Sequence, residues 1–102
     1  MAIQDPVIEE KQTVKKKFKE PKKYKVVVLN DDYTPMEFVI VMLMRIFKHS
    51  EDQAFALTLK IHEQGSAVVG IYTHEIAEQK TSDAISLARL NGHPLIVKVD
   101  EQ

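Results

Sequence analysis

The 102-residue sequence predicts one α+β domain: a small three-stranded antiparallel sheet covered on one face by three helices, in the order β-α-α-β-α-β. Two observations carry that expectation. Runs rich in Val and Ile recur at residues 24–29, 66–72 and 95–99, and helix-start chemistry recurs at Thr34, Ser50 and Thr73. A chain of this length holds a single core, and three strands with three helices pack most economically as a sheet with helices on one side.

Residues 1–22 form a polar, lysine-rich segment without a sustained apolar period, ending near Pro21, and read as a disordered extension. The ordered domain is expected over 23–102. Tyr24 to Leu29 is β-branched and reads as a strand. Thr34-Pro35-Met36-Glu37 then predicts a helix start, with Thr34 as N-cap, Pro35 at N1 and Glu37 closing a capping box. That helix is expected from Pro35 to about Lys48, and only Arg45 interrupts the apolar run 38–47. A surface helix needs one apolar stripe. This one carries more, which points to a surface beyond its own core.

Ser50-Glu51-Asp52-Gln53 predicts a second capping box, and Gly65 a left-handed stop. The strand Ser66 to Tyr72 has Gly70 as an expected bulge or close-approach point. Thr73 is expected to cap the third helix, with Glu75 and Glu78 in its first turn favoured by the macrodipole. Asn91-Gly92 ends that helix. A last strand, Leu95 to Val99, puts Leu95, Val97 and Val99 on one face.

Formal net charge is −1, yet residues 1–23 hold seven lysines against four acids, so the remaining chain is acidic. Cysteine is absent, which excludes disulfides and thiolate metal sites. No signal peptide is recognisable, and the longest apolar stretch is well short of the roughly 20 residues a bilayer span requires. A cytoplasmic protein that uses neither membrane nor nucleic acid is the expectation.

Asn30, Asp31 and Asp32 stack three acceptor-bearing side chains between the first strand and an apolar helix. Such residues start turns by bonding nearby N–H groups. Placed beside greasy surface, they also suit a ligand that is cationic at one end and hydrophobic at the other. His62 is the candidate distant partner. Asp31, Asp32 and His62 could instead form an oxygen-rich metal site, although no helical His-x-x-x-His spacing accompanies His62. No nucleophile elbow or glycine-rich phosphate loop is present. Lys15-Lys16-Lys17 reads as a solvated tail rather than a nucleic-acid arm; the competing class is a nucleic-acid or ribosome-associated module.

The run Val-Val-Leu-Asn-Asp-Asp-Tyr-Thr-Pro-Met-Glu-Phe-Val at 27–39 resembles the signature of the ClpS family, bacterial N-end-rule adaptors. The likeness continues through Ile61-His62-Glu63-Gln64-Gly65, the segment Thr73 to Lys80, and Gly92-His93-Pro94-Leu95. It implies a non-enzymatic, cofactor-free, monomeric adaptor. Such an adaptor binds proteins beginning with Phe, Tyr, Trp or Leu and hands them to the ClpA unfoldase of the ClpAP protease. Carried onto this chain, the resemblance gives Asn30, Asp32 and His62 as acceptors for the substrate α-ammonium, with Asp31 adding negative potential. It implies a side-chain pocket of Val28, Leu29, Thr34, Met36, Val39, Thr58, Ile61 and Leu95, which would account for the surplus apolar helix face. Met36 would disfavour β-branched first residues. Thr58 departs from the family's usual Met and implies a roomier or more polar wall. Glu75, Glu78 and Lys80 match positions that dock on the N-terminal domain of the unfoldase, and the tail matches a delivery segment.

Overall fold

The computed structural model describes residues 21–102; the extension expected over residues 1–22 lies outside the described residues except for Pro21 and Lys22. Strand β1 spans Lys23–Leu29, helix α1 Met36–Ile46, helix α2 Glu51–Gln64, strand β2 Ser66–Thr73, helix α3 His74–Leu90 and strand β3 Ile96–Glu101. The element order is the predicted one. The sheet is antiparallel with β1 in the centre, flanked by β2 and β3.

Alternation along the strands separates two faces. Val26, Val28, Ala67, Val69 and Val97 turn inward and are buried. Helix α3 lies across all three strands, α2 packs beside β2, and α1 bridges α2 and α3. The buried positions of α3 are Ala77, Thr81, Ala84 and Ala88, so its inward stripe is made of small side chains that let it sit close to the sheet. Helix α2 buries Ala54, Thr58 and Ile61, and α1 buries Val39, Met42 and Leu43, both at helical spacing.

Local chemistry sets most boundaries. The Ser50 hydroxyl accepts the Gln53 N–H at 3.2 Å, and Gly65 closes α2 in the left-handed region at φ 91°. Gly70 fulfils both expectations. The β1–β2 register slips between Val26 and Val27, opposite Val68 to Gly70, and the Tyr72 ring occupies the space a Cβ on Gly70 would need.

Five expectations are corrected. Helix α1 starts one residue later than predicted: Pro35 is the N-cap, with φ −65° and ψ 144°, and its carbonyl accepts from Phe38 and Val39. The capping box does not form, because the Thr34 hydroxyl donates backwards to Asp31 and Glu37 falls at the second helical position. At its other end α1 stops at Ile46, where Lys48 takes a left-handed conformation at φ 61°. Thr73 holds the N-cap position of α3 without a side-chain bond. Glu78 lies past the first turn and pairs with His74 at 3.3 Å.

Candidate functional site

Sheet register brings three connections to one end. Leu29, the last residue of β1, faces Ser66 of β2 and Ile96 of β3. The β1–α1 turn, the α2–β2 link at Gly65 and the α3–β3 link at Leu95 therefore meet there. The Asn30 N–H donates to the Gly65 carbonyl at 2.9 Å, tying the turn to the end of α2. His62 lies three residues before Gly65, in the last turn of the same helix. One backbone hydrogen bond thus joins the turn that carries Asn30 and Asp32 to the helix end that carries His62. All three side chains are exposed.

Neighbouring aspartates have different fates. Asp31 is committed to the turn: Oδ1 accepts the Tyr33 N–H at 2.8 Å and the Thr34 N–H at 2.7 Å, while Oδ2 accepts the Thr34 hydroxyl at 2.8 Å. Burial acts to raise its pKa, but those bonds and nearby His93 outweigh it and hold the carboxyl below its ordinary range. Asp32 is exposed beside it. With both Asp31 oxygens turned onto Tyr33 and Thr34, the metal arrangement with Asp32 and His62 is disfavoured. No group of three or more potential ligands is placed to hold a metal ion among the described residues.

Beneath the turn, Val28, Val39, Ile61 and Leu95 belong to one buried cluster, and Thr58 is 2% exposed. Thr34 and Met36 are half-buried. The Thr58 hydroxyl donates to the Ala54 carbonyl one turn earlier, at 2.7 Å. Its polarity is therefore spent within its own helix, so the position is smaller than Met without presenting a free hydroxyl.

Leu29 does not join this group. Strand alternation puts it opposite Val28, on the open face of the sheet, where it lines a shallow groove of about 590 Å³ with Val27, Val68 and Lys98. The surplus apolar face of α1 also goes elsewhere: Val41 and Met44 stay exposed, at 43% and 38%, and are not used up by a pocket at Met36 and Val39.

At the far end of the sheet, Lys23 pairs with Thr73, and α3 begins. The Tyr24 and His74 rings meet edge-on at 4.7 Å there, and Glu75 and Glu78 are exposed. Lys80 is engaged internally. Its ammonium donates to the Ile46 carbonyl at 2.8 Å, satisfying the end of α1, and sits 5.5 Å from the Tyr72 ring centroid.

Two residues to which sequence reasoning gave no site role, Arg89 and His93, lie at the Leu29 end. Arg89 bonds the carbonyls of His93 and Leu95, each at 2.9 Å, and the His93 ring meets Phe38 edge-on at 4.7 Å. The only sequence signal was a basic residue in the last turn of a helix, which says nothing of its tertiary partners.

An acceptor-rich turn above a buried apolar cluster, at one end of an α+β sandwich, marks the candidate site of a small non-catalytic domain. Solved structures supply a counterpart: ClpS2 of Agrobacterium tumefaciens bound to L-phenylalaninamide superposes with a TM-score of 0.79 at 43% identity, covering 81% of this chain and 100% of that one. The chain belongs to the ClpS family, ATP-dependent Clp protease adaptor proteins, whose family model matches residues 19–98. An adapter protein ClpS from Ruegeria sp. (strain TM1040) is 51% identical over 75 residues, which make up 74% of this chain and 66% of the relative. One from Shewanella halifaxensis is 46% identical over 90 residues, covering 88% of each chain. The family is one of adaptors, not enzymes. No helix among the described residues is long and apolar enough to cross a membrane.

Proposed function

We propose that this adaptor reads the free α-amino group and apolar first side chain of proteins beginning with Phe, Tyr, Trp or Leu, and delivers them to the ClpA unfoldase of the ClpAP protease. The observation that carries the reading is the Asn30–Gly65 hydrogen bond, which joins an exposed acceptor turn to the helix end bearing His62. An ammonium offers three donors and no acceptor, and it is mostly cationic at neutral pH, since α-amino groups titrate near 7.7–8.0. Asn30, Asp32 and His62 supply acceptors. Asp31 works one step back, fixing the turn and adding negative potential.

Hydrogen bonds to a charged group contribute about 1.5–3 kcal/mol each, and burial of a Phe- or Leu-sized side chain about 1.5–3 kcal/mol. After association entropy, micromolar or tighter affinity follows. The side chain enters between Met36 and Thr34 toward Val28, Val39, Thr58, Ile61 and Leu95. Met36 at the mouth disfavours branching at the first Cβ. Thr58, shorter than Met, makes the wall roomier and favours aromatic first residues over Leu.

Unfoldase docking is assigned to exposed Glu75 and Glu78. They lie about seven strand residues from the acceptor turn, roughly 20 Å at the usual rise, so substrate and unfoldase can be held at once. Residues 1–22 serve as the delivery segment, and the adaptor works as a cytoplasmic monomer.

The test is a panel of peptides differing only in residue one, each with a free and an acetylated amine, measured by fluorescence anisotropy. Binding is expected only with the free amine, strongest for aromatic residues and poor for Ile and Val. It should weaken in base, as the ligand amine loses its charge. Indifference to acetylation would overturn the mechanism. Equal affinity for Leu and Phe would remove the Thr58 reading, and equal affinity for Leu and Ile the Met36 reading.

A further inference from the structure

The link between α3 and β3 touches both parts of the candidate site. Helix α3 closes in a Schellman motif: the His93 N–H donates to the Ala88 carbonyl at 2.8 Å and the Gly92 N–H to the Arg89 carbonyl at 3.0 Å. Gly92 supplies the left-handed residue at φ 76°. That motif ends at His93. The next residue, Pro94, has no N–H to donate, and the carbonyls on either side of it lie before the first residue of β3. A single Arg89 nitrogen, Nη1, donates to both of them, at 2.9 Å each. Leu95 is 1% exposed in the buried cluster, while the His93 ring lies against Phe38 of α1, close to Asp31.

We propose that Arg89 is a positioning residue of the recognition end, a clamp that seats Leu95 in the pocket wall and His93 against α1 beside the Asp31 turn. The bland alternative is a basic residue complementing the macrodipole of α3. A dipole partner requires only charge near the helix end. Here two donors of one planar group meet two carbonyls beyond the helix, flanking a proline, and a guanidinium holds both donors in fixed geometry where an ammonium does not. Arg89 therefore acts through Leu95 and His93 and need not touch the ligand. Its effect on binding rests on the pocket proposed above.

Arg89→Ala and Arg89→Lys in the full chain test the clamp, assayed well below their thermal midpoints. With a Phe-starting, free-amine peptide, Arg89→Ala is expected to weaken affinity about tenfold, with Arg89→Lys in between because it keeps the charge but has a shorter reach and no planar group to fix its donors. Amide hydrogen exchange at Leu95 and Ile96 should quicken in the same order. A loss under threefold for Arg89→Ala overturns the proposal; if that variant does not fold, Arg89→Lys is judged by the same threefold limit. Should the unaltered chain ignore the free amine, the recognition reading fails on its own. Exchange then decides the clamp: unchanged rates at Leu95 and Ile96 overturn it.

Discussion

The two ends of the sheet are built differently. At the Leu29 end three connections are knitted together by the Asn30–Gly65 backbone bond, the bonds to Asp31 and the two Arg89 bonds. At the Lys23 end, exposed charges stand on the first turns of α3, and the side-chain pairs there are the surface ion pairs Lys22–Glu101 and His74–Glu78 and the edge-on Tyr24–His74 contact. The contrast follows from what each end is proposed to bind. Reading one ammonium beside one side chain requires acceptors held in fixed relation, and preorganisation limits the entropy lost on binding. A protein surface that docks through charge needs only the right sign in the right region, which independent side chains provide.

The strongest way to break this comparison is at the knitted end. His62→Ala removes one charge-assisted bond and is expected to weaken a Phe-starting peptide roughly 10- to 150-fold, the equivalent of about 1.5–3 kcal/mol, with unfoldase binding unchanged. Parallel anisotropy measurements with labelled peptide and with the unfoldase N-terminal domain check it; equal losses for both partners would erase the division between the ends.

Smaller effects are expected at the other end. Glu75→Gln with Glu78→Gln should reduce unfoldase binding several-fold, since exposed charge pairs contribute about 0.2–1 kcal/mol each. The loss should shrink as salt rises and leave peptide affinity alone. Salt-independent binding would point to an apolar docking surface instead, such as that around Ile76, which is 48% exposed.

The subtlest test separates the two aspartates. Asp31 has its carboxyl held below the ordinary range in the folded state, so its ionised form stabilises the fold. That contribution is complete above the ordinary carboxylate value of about 3.9 and is lost as pH falls through the lower folded value. Asp31→Asn should therefore lower the thermal midpoint at pH 7, and the gap to the unaltered chain should close below about pH 4. The corresponding Asp32→Asn difference should be small, with the penalty appearing in peptide binding. Interchanged results would reverse the roles of the two carboxylates.

Much of this architecture was legible in the chain itself. Helix and strand order, the Gly65 and Gly92 stops, the Ser50 cap and the irregularity at Gly70 all follow from interactions within a few residues, which sequence pattern records directly. Motif resemblance identified Asn30, Asp32 and His62 as one group, and the fold brings their elements together. Thr34 was misread because two local partners competed for it: the helix start it precedes and the Asp31 carboxylate behind it. The carboxylate won, leaving Pro35 as N-cap.

What the tertiary structure alone decided are relations between elements distant in the chain. Only strand pairing fixes Leu29 on the open face, away from Val28. Only packing turns Lys80 onto the end of α1 and Arg89 onto the carbonyls around Pro94. Residue type told that these side chains are cationic and long, but a flexible stem can reach many acceptors, and the fold selects among them. The opening turn shows both levels at once. Its residue types announce acceptors beside an apolar helix, while the folded chain commits Asp31 to the turn and leaves Asn30, Asp32 and His62 exposed together at one end of the sheet.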